Sequence, residues 1–199
     1  MSDIRTLGLL LGLSALACEL AREHPSSRVL AEARRQLEER GRADQAVREG
    51  FGVGAQLDTL QIKAMMRTDS ANTTWLKTYV GNWGWPTSAQ VGHEAVEAAF
   101  LIVQHAVQDT AFMRSMLPAI EQAYKRGDLD GNAVAMLTDR LEVHAGRPQL
   151  YGTQMSFHDG RWLLDPIADS AHVDERRRRF GLPSLHEYLR KLDSVLKGR

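Results

Sequence analysis

Three chemically versatile side chains, Asp44, His105 and Arg140, fall on the apolar stripes of three different predicted helices. Asp44 lies seven residues after Leu37, three before Val47 and seven before Phe51, a spacing that puts it on the inward face of a helix over 28–50. His105 follows Ile102 by three residues and Leu101 by four, and Arg140 stands in the same relation to Leu137 and Met136. A buried charge is unfavourable unless it is paired or meets a ligand. Two readings follow. In the structural one, Asp44 pairs with Arg140 and His105 is a neutral core histidine. In the functional one, an inter-helix pocket uses Asp44 to orient His105 as a general base or acid, while Arg140 binds a carboxylate, a phosphate or a developing oxyanion.

The elements that must position these residues are mostly helical. After a cap at Ser27, the first helix is ended by Gly50, Gly52 and Gly54. A second helix is predicted over 57–67. A third follows Asp69 as its cap and carries Trp75, Leu76 and Tyr79, and Asn72 beside that cap either neighbours it or faces the pocket. Gly84, Trp85 and Pro86 stop that helix. Thr87 to Gln90 fits a capping box opening a helix to about Gln108 that is apolar on nearly every side. Further helices are predicted over 110–126 and 131–145. Gln149 to Phe157 and Arg161 to Leu164 read as arms of a β-hairpin, and two short helices starting near His172 and Ser184 close the chain. The expected fold is mainly α, an irregular helical bundle with one small β-hairpin near the C-terminal third.

In the predicted strand, alternation puts Leu150, Gly152 and Gln154 on one face and Gln149, Tyr151 and Thr153 on the other. Gln149, Tyr151 and Gln154 carry neutral donors and acceptors suited to orienting a polar substrate. They form a binding wall and not a nucleophilic centre.

Several segments together resemble a bacterial family, the domain-of-unknown-function 6624 family. They are Ala43 to Ala46, DSANTTWL at 69–76, GWPT at 84–87, Val91-Gly92, VQHAVQD at 103–109, LTDR at 137–140, PQLYGTQ at 148–154 and VDERRRRFGLPSLHEYL at 173–189. The resemblance covers roughly residues 40 to 189 and implies no assigned reaction. The chain departs from the family pattern after His105, where Ala106-Val107 replaces an expected Ala-Asp, which speaks against a metal or acid role at that position.

With 25 basic and 25 acidic residues, the formal net charge is zero. No global field draws the chain to nucleic acid or an anionic membrane, so no nucleic-acid partner is expected. The run Arg176 to Arg179 is read as a solvated helix face. His93 to Glu97 lacks the second histidine of a zinc-protease motif, no metal is expected, and no phosphate-binding or nucleotide-binding glycine loop or nucleophile elbow occurs. Trp83 and Trp85 read as packing anchors. No cofactor is specified.

Residues 1–27 form an apolar N-terminal segment ahead of a single helical domain over 28–199. Leu7 to Ala17 has the size of a signal-peptide core and ends in Ala15-Leu16-Ala17 before Cys18. It reads equally as an exported or lipid-anchored segment and as a buried extra helix, which leaves location open between cytoplasm and cell envelope. A membrane contact is expected only through such an anchor.

Two functions from different classes are compatible with these residues. One is a small enzyme of hydrolase or lyase type acting on a small polar or anionic substrate, with His105 and Asp44 catalytic and Arg140, Asn72, Gln149, Tyr151 and Gln154 binding substrate. The other is a non-catalytic module that binds a ligand or a protein partner.

Overall fold

The computed structural model describes residues 24–49, 58–158 and 161–197. The apolar segment Leu7 to Ala17, Cys18, Phe51 and the Asp159-Gly160 turn lie outside the described residues. Helix α1 (Ser27–Ala46) opens at Ser26, whose hydroxyl accepts from the Val29 amide, so the cap falls one residue before the expected Ser27. Its apolar stripe buries Ala33 and Leu37 and carries Gly41 and Asp44 inward.

Helix α2 (Thr59–Trp83) corrects the expectation of two helices. Asp58 and Gln61 form the capping box that starts it, and the chain runs through Asp69 without a break. Asp69 is therefore a buried residue inside a helix instead of a cap, and Asn72 is buried one turn on. Propensity misleads here because Asp, Ser and Asn favour caps only where tertiary packing does not decide otherwise.

The Thr87–Gln90 capping box forms as expected, but it opens only one turn, α3 (Ser88–Val91). Gly92 then adopts φ +88, a backbone angle that favours glycine and interrupts the predicted long helix. Helix α4 (His93–His105) restarts there and stops at His105 instead of near Gln108. Ala95, Val96, Ala99, Ile102 and Val103 are buried on it, which makes α4 the centre of the core. Leu37 of α1, Leu76 of α2, and Met113 and Ile120 of α5 (Thr110–Arg126) close around it, with Leu137 of α6 (Gly131–His144). Trp83 and Trp85 are partly buried against this core.

Gly41 sets the closest approach of α1 and α4, since a β-carbon there would lie 2.8 Å from the Ala98 Cβ. Asp44 is one turn beyond Gly41, and His105 is two turns beyond Ala98. The same close approach therefore brings the carboxylate and the imidazole together.

After α6, residues 149–154 are not the expected strand. Gln149 makes one isolated bridge with Ile167, and Gly152 at φ +74 turns the chain. The sheet is a single antiparallel pair, β1 (Met155–His158) with β2 (Arg161–Leu164), in which Met155 faces Leu164 and His158 faces Arg161. A short 3-10 turn over Ser170–His172 leads into α7 (Val173–Arg178), and α8 (Leu185–Lys197) ends the chain. No helix among the described residues is long and apolar enough to cross a membrane.

The basic run is not a solvated face throughout. Arg177 is buried, donates through Nε to the Pro183 carbonyl and through Nη1 to the Tyr151 carbonyl, and lies over the Tyr188 ring. Arg176 donates to the Leu150 and Ala168 carbonyls. Arg178 and Arg179 remain exposed.

Candidate active site

Asp44 sits fully buried near the end of α1 and accepts from three side chains. His105 Nδ1 lies 2.8 Å from Oδ1 and 3.0 Å from Oδ2. Arg48 Nη1 donates to Oδ1 at 2.9 Å and Gln45 Nε2 to Oδ2 at 2.8 Å. An ionised carboxylate has only acceptors, so Nδ1 must carry a ring proton, and the neutral form of the imidazole then has its lone pair on Nε2.

That ring lines an open cleft of about 220 Å³ between α2 and the turn after α4, with Asp69, Thr73, Lys77, Gln108 and Asp109 among the other walls. The volume is below the ~300–1,000 Å³ of pockets that take drug-sized ligands, so the cleft suits a small molecule. At its rim Lys77 Nζ is 2.6 Å from Asp109 Oδ2. That contact, together with the Phe112 amide, holds the Asp109 carboxyl below its ordinary value.

Arg48 ties the cluster together. Its Nη2 donates to Asp69 Oδ1 at 2.7 Å while Nη1 holds Asp44, so one guanidinium bridges two buried carboxylates from two helices. Sequence reasoning did not single it out, although its place four residues after Asp44 was a visible signal. Burial raises the Asp69 pKa, and Arg48 opposes that rise. One atom each from Asp44, Asp69 and His105 lie within 4.8 Å of one another. That spacing would suit a divalent cation, although the Arg48 guanidinium already bonds both carboxylates and offsets one of their two charges.

Arg140 is separate from the cleft walls and does not pair with Asp44 as the structural reading expects. Its Nη1 donates to the Gln104 carbonyl at 2.8 Å and its Nε to Gln154 Oε1 at 3.0 Å. No ion pair to Arg140 is present among the described residues. Desolvation, reinforced by the nearby Arg48 charge, pulls its pKa down to about 10. It is a largely buried cation with no counter-ion among the described residues, fixed to the residue next to His105.

The other residues expected to bind substrate are engaged inside the fold. Asn72 accepts from Arg40 Nη1 at 3.1 Å. Gln149 is buried and clasps the loop, donating to the Gln154 and Asp165 carbonyls and accepting the Gln154 amide. Tyr151 meets Phe180 edge to face. Gln154 spends its carboxamide on Arg140 and Thr153. The residue that organises this loop, Asp139, was missed: fully buried, it accepts the Leu150, Tyr151 and Thr153 amides and the Thr153 hydroxyl. His93 pairs only with Glu97 on an exposed helix start.

The protein is a helical fold carrying a histidine–carboxylate pair at an open cleft. The sequence model for a family of unknown function, DUF6624, matches residues 32–198, and the chain belongs to that family. Searches of curated proteins and of solved structures find no match.

Proposed function

We propose that this protein is a small enzyme of hydrolase or lyase type that moves a proton at a small polar or anionic substrate. The observation that carries this reading is the Asp44–His105 hydrogen bond with the imidazole on the cleft wall. Asp44 fixes the tautomer, which leaves Nε2 to take a proton from water or from substrate. The unpaired Arg140 charge adds positive potential beside His105 and favours an anionic group in the cleft. Gln149, Tyr151 and Gln154 act through the fold, as parts of the frame that holds Arg140 and the loop, and Asn72 holds Arg40.

The test has two parts. Diethyl pyrocarbonate modification followed by peptide mapping reports whether His105 Nε2 is a reactive base. A panel of small carboxylate-bearing esters, amides and hydroxy acids reports turnover, which His105→Gln must abolish while circular dichroism and Tm stay unchanged. An unreactive His105, or turnover that survives the substitution, would sink the enzyme reading.

A second reading, a protein-binding module, draws on one observation. Leu60, Ile62 and Met66 are exposed at the start of α2, an apolar surface outside the cleft. Under it, Leu60→Glu would abolish capture of a partner that His105→Gln leaves bound.

A further inference from the structure

The cleft contains a second titratable group that faces the same space as His105. Asp69 is buried on α2, lines the cleft wall and reaches within 4.8 Å of the histidine. Its Oδ1 is taken by Arg48, whereas Oδ2 has no hydrogen-bond partner among the described residues. Asp44 differs, because both its oxygens are occupied by His105, Arg48 and Gln45.

We propose that Asp69 is the second proton-handling group of this site, exchanging a proton with substrate from Oδ2 while His105 handles the other transfer. This inference rests on the acid–base reading of His105. Asp44 from α1, Arg48 from the turn after it and His105 from the end of α4 face Asp69, with Lys77 and Asp109 at the rim and Arg140 close enough to feel the Arg48 charge. With Asp69 protonated and the imidazole neutral, Asp44, Arg48 and Arg140 sum to one positive charge, and the sum is the same when that proton sits on His105 instead. One proton can therefore move between His105 and Asp69 without leaving a large net charge buried. Burial supports the assignment by favouring the protonated carboxyl.

For a hydrolysis, the steps balance. Water gives a proton to His105 Nε2 as its oxygen bonds to the substrate's electrophilic carbon. The bond from that carbon to the leaving group breaks, and the leaving atom takes the Asp69 proton. The imidazolium then returns its proton to Asp69 through solvent, so both groups are restored. A proton donor and a proton acceptor held at one site are the usual basis of paired acid and base roles.

The experiment is a carbon-13 NMR pH titration of full-length protein labelled at the aspartate carboxyl carbon, with Asp69→Asn identifying the resonance. The expected midpoint lies above the ordinary aspartate value of about 3.9, and it moves further up in His105→Gln, which removes the lowering pull of the imidazolium. If Asp69→Asn does not fold, Arg48→Lys identifies the resonance by perturbing it with the carboxylate intact. A midpoint at or below the ordinary value overturns the proposal. So does calorimetric binding of one equivalent of Zn²⁺ or Mn²⁺ to the wild type, since Asp69 would then be a ligand. A reactive His105 beside a normally titrating Asp69 defeats this inference alone, whereas an unreactive His105 defeats the reading beneath it.

Discussion

The Asp139 carboxylate sits beneath Thr153 and accepts both its backbone amide, at 3.0 Å, and its hydroxyl, at 2.9 Å. With the Leu150 and Tyr151 amides also on Asp139, one side chain supplies the acceptors that a neighbouring strand would supply elsewhere. Asp139→Asn keeps the shape but turns an amide group with hydrogens toward backbone donors. The substitution should cost ~3 kcal/mol, in the range for breaking a buried charged network. Urea unfolding measures it, and a loss under ~1 kcal/mol would mean that the loop is held by other contacts.

The Gly41–Ala98 contact makes a second prediction. A β-carbon at Gly41 would come within 2.8 Å of Ala98 Cβ, and neither atom is the end of a flexible side chain, so α1 and α4 must separate. Gly41→Ala is expected to lose ~1–3 kcal/mol despite the better helix propensity of alanine. It also lengthens the Asp44–His105 contact, so carbethoxylation of His105 should change. Gly81→Ala, where nothing lies within 4 Å, serves as the control and should be neutral or slightly stabilising.

Arg140 should behave oppositely to most buried arginines. The fall of its pKa from 12.5 to about 10, caused by desolvation and then by the nearby Arg48 charge, corresponds to a penalty of roughly 3 kcal/mol on the charged form. Its two charge-assisted hydrogen bonds offset about 3 kcal/mol, so the two effects nearly cancel. Arg140→Met is therefore expected to change unfolding free energy by less than ~1 kcal/mol, while removing the positive potential on which the proposed anion binding draws. A loss above ~2 kcal/mol would assign Arg140 to stability.

Asp69 gives a pH dependence of defined sign. Its folded-state pKa is raised, with desolvation as the largest cause, so the folded protein holds that proton more tightly than the unfolded chain. Its contribution is most favourable below the unfolded-state value and is lost as pH rises through the folded-state value. The stability of Asp69→Asn relative to wild type should thus increase with pH from about 4 upward. Parallel denaturation curves for the two proteins across that window would contradict the assignment.

The inward placement of Asp44 and His105 was legible in the sequence because helical phase is local information. Their pairing was one of two readings left open, beside pairing of Asp44 with Arg140, because the choice depends on Gly41 letting two helices approach. Arg140 was correctly expected on an inward face, yet its partners are a carbonyl and a carboxamide that no spacing rule identifies. Asp69 was misread because a cap and a mid-helix aspartate look alike until packing is known. The alternation of Gln149 to Gln154 suggested a strand, and the positive φ of Gly152 with the Asp139 acceptor makes it a loop instead. Arg176 and Arg177 look like surface charge in a basic run, and only the position of the loop carbonyls shows their work.

Those two arginines also separate the protein's responses to ionic strength. Arg177 fastens α7 by hydrogen bonds to the Tyr151 and Pro183 carbonyls, which are dipoles inside the fold, and dissolved ions screen buried contacts weakly. The pairs of Arg34 and Arg35 with Glu38, Glu32 and Glu39 on α1 lie at the surface and weaken as salt is added. Molar salt should therefore loosen the outer face of α1 while the C-terminal clasp keeps its grip.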